Sequence, residues 1–354
     1  MNRVFRILVS ADPEIPVPPL LYGGIERIID SLIGEFRNRG HEVALVAHPE
    51  STVDVDRFFP WPGASSLSRA DTARNAMALR RAVRTFRPDV VHSFSRIAYM
   101  IFILPGRLSK IMSYQREPSP RTTSLGHRLS RGSLTFTGCS EHIAATGRKT
   151  GGQWYSIPNF IDPDKLTYVP EVARDAPLVF LSRIEPIKGC HTAIAIAKAS
   201  GRRLLIAGNR VETGSAAGYW DQEIAPHLGK DGIEYVGTVN DEQKNALLGQ
   251  AAAMVVPIEW EEPFGIVFAE ALACGTPVIA CPRGAVPEII KNGIHGFHIM
   301  NTDEGVAAVS RLHEISRAAC RRQVEGRFTV SVVADKYLEL YQSIIFGFPP
   351  TPAP

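Results

Sequence analysis

The 354-residue chain has few cysteines, and they are poorly arranged for cross-linking. Cys139, Cys190, Cys274, Cys281 and Cys320 are odd in number and include no C-x-x-C pair, which excludes a disulfide framework and the usual zinc spacing and points to a reducing cytoplasm. Long apolar runs are missing as well. The longest, Ile97 to Leu104, falls far short of the roughly 20 residues needed to cross a bilayer, and Ile7 to Val9 is too short for a signal-peptide core. A strong net charge is absent: 39 Lys plus Arg against 36 Asp plus Glu give +3, so nucleic acid is not the expected partner. No G-x-G-x-x-G occurs, so the nicotinamide-binding fingerprint is lacking. What remains, at 45% hydrophobic and 21% charged residues, is an ordinary globular protein long enough for two domains. The charge divides unevenly, with net +7 over residues 1–170 and net −4 over the remainder.

Hydrophobic periodicity gives the architecture. Val4 to Ser10 reads as a strand, followed by a Pro- and Gly-rich loop. Ile25, Ile28, Ile29, Leu32, Ile33 and Phe36 then fall on one helical face before Gly40 and a second strand, Glu42 to Ala47. Strand, helix, strand in this order predicts a parallel sheet. Further strands are expected at Val90 to Ser93, Lys110 to Tyr114, Leu134 to Gly138 and Trp154 to Ile157, with a helix at about 71–86. The breakers from Pro158 to Pro163, with Pro170 and Pro177, mark a boundary. The alternation then restarts with strands at 178–182, 204–207, 233–236, 252–256 and 278–280 and helices near 191–200, 243–249 and 264–274. The expectation is therefore α/β: a first doubly wound domain over 1–170, a second over 171–331, a helix at 332–347 and a mobile tail at 348–354. Ligands of such sheets bind at the carboxyl ends of the strands, which suggests a cleft between the domains.

Three segments carry chemistry. In Glu262-Pro-Phe-Gly-Ile-Val-Phe-Ala-Glu270, a helix starting near Pro263 would present the amides of Phe264, Gly265, Ile266 and Val267 to a phosphate. Glu262 and Glu270, roughly 12 Å apart along such a helix at 1.5 Å per residue, would bind sugar and ribose hydroxyls on either side of a diphosphate. In Leu181-Ser-Arg183-Ile-Glu-Pro-Ile-Lys188-Gly, Arg183 can hold phosphate oxygens bidentately while Lys188 adds a point charge, so the pair neutralises a nucleoside diphosphate without a metal. In Tyr22-Gly23-Gly24-Ile25-Glu26, glycines at a helix mouth let the backbone approach a ligand. Alone, each pattern is more often a capped helix, a solvated loop or turn geometry. Asp54-Val-Asp56 and Asp162-Pro-Asp164 spell D-x-D but read as loop acids, and no metal or other cofactor is expected.

GGIERI, LIGEFRNRGHEV, RPDVVH, PNFID, LSRIEPIKG, YVGTV and EEPFGIVFAEALACGTPVIACPRGAVPEII, in this order, resemble the retaining GT-B glycosyltransferases of family 4, also called group 1, over most of the chain. The resemblance implies GT-B architecture: two Rossmann-like domains, the second holding a nucleoside-diphosphate sugar and the first an acceptor, with the last helix crossing back. It implies that Arg183 and Lys188 hold the diphosphate, Glu270 the ribose and Glu262 the donor sugar, and that Gly23 and Gly24 approach the phosphates. Many members place a histidine after the strand ending here near Tyr114, in contact with the donor sugar. This sequence has Gln115, which cannot act as a base, so catalysis would rest on Glu262, Arg183, Lys188 and Gln115 as positioning and charge-stabilising groups. His92 is the other candidate in the first domain, with Arg116, for the acceptor, although a structural histidine fits its strand-end position equally well.

Arg74, Arg80, Arg81, Arg84 and Arg87 line one helix whose other side carries Met77, Leu79, Val83 and Phe86. This basic surface is either solvated or docks on anionic lipid or an anionic acceptor, with Arg116, Arg121, Arg128 and Arg131 in support. The expected activity is transfer of a hexose-type sugar from a UDP- or GDP-linked donor to an unidentified glycan, lipid or small molecule. The expected location is the cytoplasm, with a possible peripheral seat on the inner membrane face. Alternatives are a nucleotide-sugar epimerase of the same architecture and a donor-binding partner subunit without catalysis.

Overall fold

A computed structural model describes residues 3–19 and 23–347. Tyr22 and the tail at 348–354 lie outside that range. The chain forms two compact units, one comprising the sequence up to Asn159 and the segment from Val330 onward, the other Phe160–Thr329.

In the first unit the order is β1 (Arg6–Ser10), α1 (Gly24–Asn38), β2 (Glu42–Ala47), β3 (Arg57–Pro60), α2 (Arg69–Phe86), β4 (Val90–Ser93), β5 (Ser109–Tyr114), α3 (Pro120–Ser130), β6 (Leu134–Gly138), α4 (Glu141–Arg148) and β7 (Gln153–Ser156). The strands make one parallel sheet in the order β3-β2-β1-β4-β5-β6-β7. β4 and β6 are buried at every position, as expected of strands covered by helices on both faces. The second unit holds β8 (Leu178–Leu181), α5 (Cys190–Ala199), β9 (Leu204–Ala207), β10 (Ile233–Gly237), α6 (Asp241–Gln250), β11 (Ala253–Val256), α7 (Ile266–Ala273), β12 (Val278–Ala280), α8 (Val286–Ile289), β13 (Gly296–His298), α9 (Thr302–Ser310) and α10 (Arg317–Arg327). Its parallel sheet runs β10-β9-β8-β11-β12-β13. The chain then returns to the first unit in α11 (Val330–Phe346). Both sheets reverse direction of winding beside their first strand, between β1 and β4 and between β8 and β11, which is where doubly wound sheets open a ligand crevice.

The boundary falls at Asn159/Phe160, ahead of the expected 170/171, because residues 160–170 bind to the second unit. Ile161 pairs with Thr329 and donates its amide to Phe328 O at 2.9 Å, and Arg321 bonds the carbonyls of Pro163 and Leu166 at 3.1 and 3.0 Å. Three elements of the first unit escaped the sequence reading. β3 is a half-exposed four-residue edge strand, an acceptable place for Pro60, and α3 and α4 are short. Past residue 280, neither β13 nor α8, α9 and α10 was anticipated.

α11 is tied to the first sheet through polar side chains inside the core. His92, fully buried on β4, bonds Tyr341 OH through Nδ1 at 2.6 Å and Ser113 Oγ through Nε2 at 2.7 Å. Ser113 in turn meets Thr137 Oγ1 at 2.6 Å and Tyr337 OH at 3.3 Å. Each of these hydroxyls would otherwise be stranded in an apolar interior, at a cost of about 1–3 kcal/mol apiece.

Burial pushes the His92 imidazole down to about 3, from an ordinary value of 6.5. Below pH 6.5 the unfolded chain takes up a proton that the folded imidazole refuses, so this stability is present above 6.5 and lost as pH falls toward 3. Lowering the pH from 7.5 to 5 should therefore remove about 2 kcal/mol through this group alone. His92→Gln should flatten that part of the stability profile, as read from urea denaturation at each pH.

Candidate active site

The carboxyl edge of the second sheet gathers the strongest candidates. Two residues beyond β8, Arg183 lies half-exposed and forms an ion pair with Glu185 at 2.8 Å. Lys188 closes the short turn Pro186–Lys188 and is nearly buried. Its Nζ donates to Glu262 Oε2 at 2.7 Å. Gly189 follows with φ 74°, and a Cβ there would lie 2.1 Å from Pro257 O, so only glycine lets the Lys188 turn pack against the loop that carries Glu262.

That loop connects β11 to α7, and α7 begins later than the sequence suggested. Its N-cap is Gly265, in the left-handed conformation at φ 84°. A Cβ there would meet the Phe268 ring at 2.5 Å. Glu262 is therefore outside the helix, and the two acids are not two turns apart on one cylinder. Phe264 is buried against Phe328, ring centroids 5.6 Å apart, so its side chain belongs to the core. Phe268 N–H returns to Gly265 O at 3.0 Å, leaving the amides of Ile266 and Val267 without an intrahelical carbonyl and the helix dipole aimed past them. Glu270, one turn further on, pairs with Lys244 of α6 at 2.5 Å. Burial opposes the Lys244 charge, but Glu270 and Asp241 outweigh it and hold its pKa above the ordinary value.

In the first unit, the carboxyl edge of the sheet carries Gly23, Gly24, Gln115 and Arg116. Gly23 precedes α1, and a Cβ on it would fall 2.6 Å from Pro19 and 2.8 Å from Glu26 Oε2, so a close backbone approach is built in. Gln115 follows β5 directly, with its Oε1 buried and without a hydrogen-bond partner. Arg116, next to it, is exposed. His92 is corrected: with no exposed surface and both ring nitrogens held by protein hydroxyls, it has no group to offer an acceptor.

Four residues were missed. Asp12, just beyond β1, has a buried Oδ1 with no partner. Burial and the charge of Glu14 push its carboxyl up to about 6, against the pull of Arg116 and Arg96. Trp260 and Lys244 donate hydrogen bonds to Glu262 and Glu270, and Glu185 forms an ion pair with Arg183. None of the four carries a spacing signal; only the position of Asp12 at a strand end could have drawn attention. The D-x-D acids are structural: Asp54 and Asp56 pair with Arg37, and Asp162 caps the turn at Asp164 N at 3.1 Å. Among the described residues no group of three or more His, Cys, Asp or Glu side chains is placed to hold a metal ion.

Residues 170–324 match the family described as glycosyl transferases group 1, and residues 22–165 match glycosyltransferase family 4. The chain belongs to the group 1, family 4 glycosyltransferases. Among curated family members, D-inositol 3-phosphate glycosyltransferase of Mycolicibacterium paratuberculosis is 33% identical over 127 residues, 36% of this chain and 29% of that one. The chain thus matches under a third of that relative's length. AviGT4, a glycosyltransferase involved in avilamycin A biosynthesis, is 25% identical with a TM-score of 0.71 over 97% of this chain and 99% of its own. Anabaena Alr3699/HepE, solved in complex with UDP-glucose, is 17% identical with a TM-score of 0.70 over 96% and 100%. These neighbours establish the GT-B fold of two Rossmann-like units.

Removing one side of the Lys244–Glu270 pair takes the nearest counter-charge from a mostly buried group. Lys244→Met should cost about 1–3 kcal/mol in urea denaturation, and adding Glu270→Gln should recover part of it, because the neutral amide needs no counter-charge.

Proposed function

We propose that the chain is a retaining, metal-independent glycosyltransferase that moves a hexose-type sugar from a UDP- or GDP-linked donor to an acceptor hydroxyl. The observation that carries this reading is the meeting, at one sheet edge, of Lys188 and Glu262 on adjoining loops with the open amides of Ile266 and Val267 at the start of α7. A nucleoside-diphosphate sugar needs both cations for its phosphates and a carboxylate for its sugar hydroxyls. Arg183 and Lys188 neutralise the diphosphate, the α7 amides add fixed dipoles, Glu270 takes the ribose and Glu262 the sugar. As the bond from the anomeric carbon to the phosphate oxygen breaks, the acceptor oxygen bonds to the same face, and its proton passes to the departing phosphate. Gln115 supplies no base, in keeping with that route. Gly23 and Gly24 allow close approach to phosphate, and Arg116 serves the acceptor.

The UDP-glucose bound by the Anabaena neighbour makes that donor the first to try, and D-inositol 3-phosphate, named in the curated relative, the first acceptor. Glu262→Ala and Arg183→Ala should each cut turnover by roughly two to three orders of magnitude, the loss expected for one transition-state electrostatic contact. In EDTA, one of UDP, GDP, dTDP or ADP should raise the thermal midpoint of the wild type by mass action. Wild-type turnover in both variants, or a shift with NAD alone, would overturn the assignment.

Membrane contact is a separate part of this proposal. Arg74, Arg80, Arg81 and Arg84 of α2, and Arg87 at its C-cap, are all exposed. Met77, expected on the inner side, is 56% exposed among them, beside a groove floored by Phe58, Phe59 and Pro60 of β3. An apolar strip with a basic rim suits anionic lipid headgroups. Replacing Arg74, Arg81 and Arg84 by Glu should abolish sedimentation with anionic vesicles; unchanged sedimentation refutes the contact.

A further inference from the structure

We propose that Trp260 is a positioning residue that sets which oxygen of Glu262 is offered to the donor sugar and holds the Lys188 ammonium in place. This rests on the reading of Glu262 given above. Trp260 Nε1 donates to Glu262 Oε2 at 2.9 Å, the same oxygen that accepts from Lys188 Nζ at 2.7 Å. The ammonium also stands 4.4 Å from the centroid of the indole ring. Ammonium, carboxylate and indole therefore close a three-membered set in which each member touches the other two.

The surrounding backbone is already fixed without the indole. Glu259 N–H bonds Ile187 O at 2.8 Å, joining the Trp260 loop to the Lys188 turn, and Ala285 N–H bonds Glu262 O at 2.8 Å. Gly284 N–H bonds the side chain of Glu261 at 2.6 Å. What backbone contacts cannot fix are the side-chain torsions of Lys188 and Glu262, two long chains with several rotamers each. The indole removes that freedom with one directional bond and one ring face. With Oε2 accepting two donors, Oε1 has no protein partner among the described residues, and the unused acceptor capacity of the carboxylate lies on that oxygen. A sugar hydroxyl is the donor it suits. Without the indole N–H, the carboxylate is free to turn about its bond to Lys188, and a donor would have to order it at the moment of reaction.

Two variants separate the two contacts. Trp260→Phe keeps a ring beside Lys188 but has no N–H, whereas Trp260→Ala loses both. Affinities are measured by calorimetry for UDP and UDP-glucose, or for GDP and GDP-glucose if thermal shifts select guanine, and turnover as acceptor-free donor hydrolysis. In Trp260→Phe, nucleoside-diphosphate affinity should stay within twofold of wild type. Sugar-nucleotide affinity should fall about fivefold, and hydrolytic kcat about tenfold with KM changed less than kcat. In Trp260→Ala, diphosphate affinity should fall as well, because Lys188 loses its ring.

A merely structural tryptophan would act regardless of Glu262, so the deciding measurement is a double-mutant cycle on sugar-nucleotide affinity. Trp260→Phe should have less than a twofold effect in the Glu262→Ala background, where the indole N–H has no carboxylate to orient. An equal fivefold loss in both backgrounds overturns the proposal, as does wild-type hydrolysis in Trp260→Phe while Glu262→Ala is impaired; either result leaves the site itself standing. Wild-type behaviour of Glu262→Ala and Arg183→Ala overturns both readings together.

Discussion

Arg317 reaches from α10 into the carbonyl ends of two helices at once. Its guanidinium bonds Gly249 O and Ala251 O at the end of α6, each at 2.9 Å, and Cys274 O and Thr276 Oγ1 past the end of α7, at 3.4 and 3.1 Å. Its Nε adds Val169 O at 2.7 Å. Burial pulls this group below its ordinary pKa, yet the delocalised guanidinium stays charged and satisfies carbonyls that a helix end leaves orphaned. One turn along, Arg321 bonds Ala273 O at 3.0 Å. The carboxyl end of α7 is thereby pinned, and pinning one end of a rigid eight-residue helix aims the other. The amides of Ile266 and Val267 and the side chain of Glu270 inherit their positions from a residue on a helix with no place in the site.

The site itself is a set of matched charges. Lys188 meets Glu262, Arg183 meets Glu185, and Lys244 meets Glu270. The Lys188–Glu262 and Lys244–Glu270 pairs spare their members the cost of an isolated buried charge. Pairing also makes the edge nearly neutral, so a simple anion gains little there. A ligand that brings phosphate oxygens and hydroxyl hydrogens together can address the cation and the carboxylate of a pair at once. Specificity in such a site follows from the pattern of both chemistries rather than from net attraction.

Much of the frame was legible in the sequence because parallel sheets announce themselves. β2, β4, β6, β9 and β12 were expected at their observed limits, β2, β9 and β12 because strands buried on both faces are nearly continuous apolar runs between breakers. Arg183, Lys188 and Glu262 stood out as candidates because loops after such strands are short and their polar residues few, and Glu270 because it follows Glu262 by eight residues. What stayed hidden has common causes. The start of α7 depends on the left-handed Gly265, not on Pro263, and a glycine's conformation is not written in its identity. Arg317 and Arg321 lie on α10, a helix the sequence reading did not anticipate, and their partners are mostly backbone carbonyls, which no side-chain pattern reveals. Trp260 and Lys244 act across loops 2 and 26 residues from the acids they bond, separations that carry no period. His92 was placed correctly at its strand end, but one of its two ring partners, Tyr341, comes from α11, some 249 residues away.

The bridge between Ile161 and Thr329 has a consequence for how the gene could be rearranged. The first and last residues of the second unit are neighbours, so it has the form of an insertion within another domain, and its termini could be joined by a short linker. Cutting the chain at 159/160 and 329/330 leaves a segment whose ends need not travel. Such a module can be lifted out, circularly permuted or exchanged between relatives without redrawing its sheet. A polypeptide organised this way can change one unit's ligand while the other keeps its own.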